Sequence, residues 1–369
     1  MVDKFIHIIS LDVPFPADYG GAIDIYYRIN ALHELGYKII LHCWEYGRGE
    51  QEKLKEITHE IYYYKRKKSL RLALSKLPFI VASRQSETLF HRLLVDNYPI
   101  LFEGIHTTLL LNNPRLKDRV KIVRMHNVEH DYYNALAKNA SGLKKRYYTA
   151  EAKKLKLYEA VLTHANWIFA IQELDEQHFK TFHPNVKLLP ASIPPISIVP
   201  VNTEETFCLF HGNLSVQEND SAAKWILENA YYEGLNLIVA GKNPTDELAQ
   251  LAKEKHIQLI SNPSEIKMQQ LISEAHVHLL VTEQPTGIKL KLINSLASNG
   301  HVLVNPTMVK GTNLERLCVI FEDAKVCQNQ LKQLMQIPVN IEQLHKRFDV
   351  LQSQFDTFEN CKIFNEILA

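Results

Sequence analysis

Residues 4–36 read KFIHIISLDVPFPADYGGAIDIYYRINALHELG. An apolar run, Lys4–Ser10, meets a loop holding Pro14, Pro16, Gly20 and Gly21; then Ile25, Ile29 and Leu32 share one helical face, with Gly36 as the stop. That is one βα unit. Short β-rich runs alternate with amphipathic stretches nearly from end to end, which predicts parallel sheets. Further strands are expected at 38–44, 60–65, 99–103, 121–126, 167–171 and 186–190, and after a pause at 206–211, 235–240, 257–260, 277–281, 301–304 and 319–321. The pause, Pro190 to Asn202, carries Pro190, Pro194, Pro195 and Pro200 without helical period and reads as an extended linker. In the last segment Leu344, Phe348, Leu351, Phe355, Phe358 and Ile363 recur at near-helical spacing, as in one long helix. The expected fold class is α/β: two doubly wound, Rossmann-like domains, 1–195 and 196–339, with 340–369 returning as a C-terminal helix to the first. A ligand cleft between the carboxyl ends of two facing sheets follows from that arrangement.

Composition narrows the function classes. A chain of 369 residues with 46% hydrophobic and 22% charged residues can fill two cores and is not a disordered or collagenous polymer. Lys and Arg number 42 against 41 Asp and Glu, so no net field favours a nucleic acid. Five scattered cysteines show no pair at zinc-site spacing and read as reduced. The N-terminal apolar run is too short for a signal peptide, and no stretch approaches the ~20 apolar residues of a spanning helix. A soluble cytoplasmic protein is expected. Lys65 to Arg84 nevertheless holds seven basic residues and no acid, interleaved with Leu, Phe and Ile. It suits an anionic membrane surface, and it equally suits a solvated helix followed by a core strand. A second basic run spans Lys144 to Lys156.

Several segments at strand and helix ends carry chemistry. Gly20 and Gly21 precede a helix whose N-terminus bears about half a positive charge, an anion site or else a tight turn. Glu103-Gly104-Ile105-His106 and Arg124-Met125-His126-Asn127-Val128-Glu129 follow two strands. Arg124 needs a carboxylate or phosphate if buried, with Glu103 or Glu129 as partner, and His126 and Asn127 would otherwise cap the next helix. In the second half, Phe210-His211-Gly212-Asn213-Leu214 and Ala240-Gly241-Lys242 are turns after strands. In Thr286-Gly287-Ile288-Lys289-Leu290-Lys291-Leu292-Ile293-Asn294, Thr286 is a natural N-cap; Gly287, Lys291 and Asn294 line one helical face and Leu290, Ile293 and Ala297 another.

Taken in order, these segments resemble the GT-B glycosyltransferases, and among them the retaining family four, the glycosyl transferases group one. The resemblance rests on the Pro-Phe-Pro loop to Gly20-Gly21, Arg124-x-His126-Asn127-x-Glu129, the Gly212-Asn213-Leu214 turn with Asn219 and Trp225, and Gly287-x-Lys289-x-Lys291 closing at Ala297 and Gly300. It implies a nucleotide-diphospho-sugar donor bound through Gly20, Gly21, Gly212, Asn213, Lys242, Thr286, Gly287, Lys289, Lys291 and Asn294. It also implies His126, or His106, at the sugar or acceptor, with Glu103 and Glu129 as nearby acids or bases and Arg124 and Asn127 in support. No cofactor or metal is implied, in keeping with the lack of any Asp-x-Asp. The expected activity is retaining hexosyl transfer to a glycan or lipid-linked acceptor in surface polysaccharide assembly. A nucleotide-sugar 2-epimerase and a non-catalytic sugar-nucleotide or glycan binding protein are the alternatives. The family's glutamate pair falls at Thr286 and Asn294, and its Arg and Lys after the first strand of the second domain at Asn213 and Glu218.

Overall fold

The computed structural model describes residues 4–196, 206–284 and 289–368, in two compact units. Residues through Pro195 and from Phe355 onward form the first; the remainder to Gln354 forms the second. In the first unit, β1 (Lys4–Ser10), β2 (Tyr37–Glu45), β3 (Glu60–Lys65), β4 (Ile100–Glu103), β5 (Lys121–Arg124), β6 (Trp167–Ala170) and β7 (Val186–Leu188) pair in the order β3-β2-β1-β4-β5-β6-β7, every pair parallel. In the second, β8 (Cys208–Asn213), β9 (Leu237–Lys242), β10 (Gln258–Ser261), β11 (Val277–Leu280), β12 (His301–Val304) and β13 (Val319–Ile320) pair in the order β10-β9-β8-β11-β12-β13, again all parallel. Each sheet reverses its winding once, between β1 and β4 and between β8 and β11. Ligands of doubly wound sheets gather at the carboxyl ends of such strands.

Period-two alternation explains why the strands read as unbroken apolar runs: both faces are covered. Ile9, Phe102 and Val123 face one core of the first unit, with Leu89, Leu93, Leu155 and Phe179 packed over them. Ile8, Leu101 and Ile122 face the other, beneath Ile25, Ile29 and Leu32 of the helix Gly20–Glu34. In the second unit Phe210, Val239 and Leu279 meet Ala223, Ile226 and Leu331, while Leu209 and Ile238 meet Leu271 and Ile272. Gly241 in β9 is obligatory: a Cβ there would stand 1.9 Å from the Gly212 carbonyl oxygen of β8.

The C-terminal segment departs from the expected single helix. It is three helices, Ile341–Phe355, Thr357–Cys361 and Ile363–Ile367. Asp356 leaves helical geometry at ψ 102° and its carboxylate accepts from the Glu359 N–H, so it caps a new helix where the apolar spacing alone suggested continuity. The part to Gln354 packs with the second unit, where Arg347 donates to the carbonyls of Gly300 and Ser298. The part from Phe355 packs with the first. Thr357 Oγ1 exchanges hydrogen bonds with the Ile193 backbone, and Phe364, fully buried, sets its ring edge-on to Phe169 at 5.4 Å. Residues 191–196 of the expected linker form no helix or strand; 197–205 lie outside the described residues.

Because Phe364 fills a closed site, Phe364→Ala should destabilise the first unit by about 3–5 kcal/mol. Urea unfolding followed by fluorescence checks this, and a loss below about 1 kcal/mol would show that the C-terminal segment does not belong to that core.

Candidate functional site

At the switch point of the first sheet the site is built on a buried ion network. The helix Gly20–Glu34 places Asp24 and Arg28 one turn apart, and β4 ends on Glu103. Arg28 donates through Nε and Nη2 to the two Glu103 oxygens at 3.0 and 2.8 Å, and through Nη1 and Nη2 to Asp24 at 3.0 and 2.9 Å. Asp24 Oδ1 also accepts from the Ser192 N–H at 2.7 Å and from Arg124 Nη2 at 3.4 Å. His126 closes the network, Nε2 at 3.1 Å from Glu103 Oε2 and Nδ1 at 3.6 Å from Asp24 Oδ2. Burial alone would raise both carboxyls. Arg124 and Arg28 beside Asp24, and Arg28 beside Glu103, more than offset it and hold both below the usual carboxylate range. Glu103 is thus an ionised, doubly engaged group that orients His126 rather than a free acid. The Arg124 partner differs from expectation: it is Asp24, with the Pro190 carbonyl at 3.2 Å, because Glu103 is taken by Arg28. Arg124 Nε and Nη1 are buried without a hydrogen-bond partner.

A second layer follows β4 and β5. Gly104 adopts φ +69°, and a Cβ on it would reach His106 Nδ1 at 2.8 Å, so glycine is required twice over. His106 Nε2 lies 3.5 Å from Glu129 Oε1, while its Nδ1 is buried without a partner. Burial, then the charges of Arg84 and His126, hold His106 neutral, far below the usual histidine value. Burial pushes the Glu129 carboxyl up to about 7 despite a bond from Asn127 and the charge of Arg84. Neither His126 nor Asn127 caps the following helix, Glu129–Lys138; its N-cap position is Val128, with no side-chain bond. Nearby, Arg84 donates to the Leu11 and Ile80 carbonyls, and Tyr19 Oη donates to Asp12 at 3.1 Å. Gly20 and Gly21 open the helix Gly20–Glu34 after the extended Tyr19, and neither has positive φ. The tight-turn alternative therefore fails: these glycines are the first turn of a 15-residue helix, with free N–H groups at its positive end.

In the second unit, Lys291 Nζ donates to Asn219 Oδ1 at 2.8 Å and lies 5.3 Å from the Phe210 ring centre. Asn219 in turn donates to the Asn213 carbonyl at 2.9 Å, and a Cβ on Gly212 would stand 3.0 Å from its amide carbon. Lys289 Nζ lies 3.6 Å from Glu218 Oε1. Burial lowers both ammonium groups, Lys291 to about 8, with Lys289 adding repulsion and Glu218 opposing it. His211, lowered to about 3 by burial and then Lys291, pairs with Ser295 at 3.3 Å. The Asn213 side chain is spent on a local turn, accepting from Ser215 N and Oγ. Lys242 ends β9 exposed, and its carbonyl accepts from Leu214 N–H. Thr286 and Gly287 lie outside the described residues. The helix here begins at Leu290, with Lys289 rather than Thr286 at the N-cap position; its buried residues are Leu292, Ile293, Ser295 and Leu296, and Asn294 is half-buried.

Sequence reasoning missed Asp24 and Arg28. Their signal was an acid and a base four apart on the helix whose apolar residues were quoted, a pair usually discounted as solvent-exposed. Arg84 was read only as the end of a basic segment, yet it is buried, and Ile80, Val81 and Ala82 before it belong to the core. Among the described side chains of that segment, Lys65, Lys67, Lys68, Ser69, Arg71, Leu74 and Lys76 are exposed.

No family model matches the chain. It is 25% identical over 391 residues, 98% of each chain, to an uncharacterized 44.6 kDa protein in the cps region of Klebsiella pneumoniae. Among solved structures it is similar to WaaG, a glycosyltransferase involved in lipopolysaccharide biosynthesis, with TM-score 0.69 and 11% identity over 98% of this chain and 99% of that one. HepE of Anabaena, in complex with UDP and glucose, gives TM-score 0.66 and 10% identity over 99% of each. The trehalose 6-phosphate synthase of Burkholderia multivorans gives 0.62 and 12% over 100% of each. The fold is accordingly GT-B, two Rossmann-like α/β units.

Arg28→Ala would take from Asp24 and Glu103 the guanidinium they share, leaving only Arg124 and the Ser192 N–H on Asp24 and His126 on Glu103, and should cost about 3–5 kcal/mol, read by thermal or urea unfolding; under 1 kcal/mol would remove the network from the structural account. Since Asp24 and Glu103 are held below their unfolded values, their share of stability is complete above about pH 5 and lost as pH falls through and below about 4.

Proposed function

We propose that the protein transfers a hexose from a nucleotide-diphospho-sugar to a glycan or lipid-linked acceptor in surface polysaccharide assembly, with retention of anomeric configuration. The observation that carries this reading is the pair of half-buried ammonium groups, Lys289 and Lys291, set beside the Gly212 turn of a GT-B second unit. Two desolvated cations near backbone N–H groups suit a diphosphate leaving group without requiring a metal. Support also comes from relatives: HepE is seen in complex with UDP and glucose, WaaG is involved in lipopolysaccharide biosynthesis, and the Klebsiella relative lies in a cps region.

In this reading Lys291, Lys289 and the Gly212 backbone hold the diphosphate as the bond from the sugar's anomeric carbon to the phosphate oxygen breaks. The acceptor hydroxyl oxygen bonds to the anomeric carbon, and its proton passes to an oxygen of the departing nucleoside diphosphate. His126, steadied by Glu103, and His106, whose buried Nδ1 can accept a hydrogen bond, contact sugar or acceptor in the first unit, with Glu129 and Asn127 beside them and Arg124 in support. In the second unit Asn213, Lys242 and Asn294 are the further expected donor contacts, with Thr286 and Gly287 outside the described residues, and in the first unit Gly20 and Gly21 present helix N–H groups. Asn294, standing where the resembled family carries a glutamate, favours a second reading, a protein that binds donor and does not turn it over. An acceptor on a lipid gives the exposed basic segment a use at an anionic membrane surface, and the described helices include none long and apolar enough to span a membrane.

A thermal-shift screen against UDP, GDP, ADP and their sugar conjugates should show stabilisation by one nucleotide family. Lys291→Ala should weaken that nucleotide by roughly tenfold to a hundredfold, about 1.5–3 kcal/mol, in a folded protein; unchanged affinity would remove Lys291 from the donor site. Because Lys291 is lowered to about 8, its charge and the donor affinity should fall as pH rises from 7 to 9. Replacing Lys65, Lys67 and Lys68 by Gln should reduce sedimentation with anionic vesicles, and no change would leave that segment merely solvated.

A further inference from the structure

We propose that His130, Glu159 and His178 of the first unit form a binding site for a divalent transition metal, zinc above all, which ties three helical segments together. His130 opens the helix Glu129–Lys138, Glu159 starts the 3-10 turn Glu159–His164, and His178 lies on the helix Glu173–Lys180. The ligand atoms all lie within 4.8 Å of one another. His178 Nε2 stands 2.8 Å from Glu159 Oε2 and His130 Nδ1 3.3 Å from Glu159 Oε1. Ligand atoms at 2.0–2.2 Å from a tetrahedral zinc are about 3.3 Å apart, so small rotations suffice.

Two features separate this cluster from a carboxylate merely hydrogen-bonded to histidines. First, the His130 side chain is 8% exposed, yet its Nδ1 makes no hydrogen bond: it points into the cluster out of line with the nearby Glu159 oxygen. A lone pair so placed is what a cation uses. Its other nitrogen, Nε2, lies 3.6 Å from Asp131 Oδ1, the carboxylate contact that commonly backs a metal-bound imidazole. Second, the charge bearing on the cluster is mostly acidic: the Arg124 guanidinium acts on Asp175, while the groups acting most on Glu159 and His178 are imidazoles and carboxylates. The groups bearing on Glu159 are the two imidazoles, and Asp131 and Asp175 also face His178; Asp175 is buried with Oδ2 unpartnered. Three carboxylates and two imidazoles fit a dication. The other such grouping, Asp24, Glu103 and His126, already holds the Arg28 and Arg124 guanidiniums where an ion would sit. Half-exposed Asp131 and the 31% exposed His178 side chain give an entry path, and a fourth coordination position is left for water.

Bound there, the metal would fix the first turn of the helix that carries Glu129, and so the wall of the site. The inference does not depend on the sugar-transfer reading, because metal binding is read directly. Chelator-treated full-length protein titrated calorimetrically with zinc should bind one ion per chain, and the double variant His130→Asn, His178→Asn should bind it at least tenfold more weakly. In the wild-type protein zinc should protect His130 and His178 from diethylpyrocarbonate, as mapped by mass spectrometry. This arm needs no variant to fold. No saturable zinc binding, binding unchanged in the double variant, or equal modification of both histidines with and without zinc would each overturn the proposal.

Discussion

The buried pairing of Arg28 with Asp24 and Glu103 is the constraint on which the first unit depends. One guanidinium satisfies Asp24 on its own helix and Glu103 on a strand 75 residues further along, and Asp24 then reaches Arg124 on β5 and the backbone at Ser192. Charges this deep are tolerable only when each is matched, and the arrangement has little latitude. It fixes the opening helix over β1 and β4, and it holds His126 through both ring nitrogens at the carboxyl end of the sheet. The candidate site is therefore an outgrowth of the network that holds the fold: Glu103 meets Arg28 on one side and His126 on the other.

The second unit uses different physics for a complementary task. Backbone approach at Gly212 and Gly241 draws β8 and β9 together, leaving no room for side chains at the strand ends. Amines fill the surrounding space. Lys291 rests on Asn219 and the Phe210 ring, Lys289 against Glu218, and burial weakens the charge of both. A lysine so poorly solvated gains more from an anion than an exposed one would, because the anion restores what burial removed.

Every strand of both sheets was legible in the sequence to within a few residues, because buried parallel strands are apolar runs broken by Gly, Pro and Asn. The residues after β4 and β5 were legible for the same reason: a polar cluster beyond a strand end has few places to go. What stayed hidden were pairings across long stretches of chain. Nothing near Arg124 marks Asp24, a hundred residues earlier, as its partner, and Arg28 looks like any helix arginine. The break at Asp356 was masked by apolar residues that keep helical spacing across it. The helix after Lys289 begins later than Thr286 suggested, and its buried face includes Ser295, which serves His211 rather than the apolar core.

The central claim is that this GT-B chain catalyses sugar transfer rather than only holding a nucleotide sugar. The direct measurement is the release of free nucleoside diphosphate, followed by mass spectrometry, from a donor that stabilises the protein in the thermal-shift screen, with and without capsule-type glycan or lipid-linked acceptors. The account predicts release that an acceptor stimulates, with the hexose recovered on that acceptor. Donor binding with neither release nor an acceptor-bound hexose across such acceptors would contradict it.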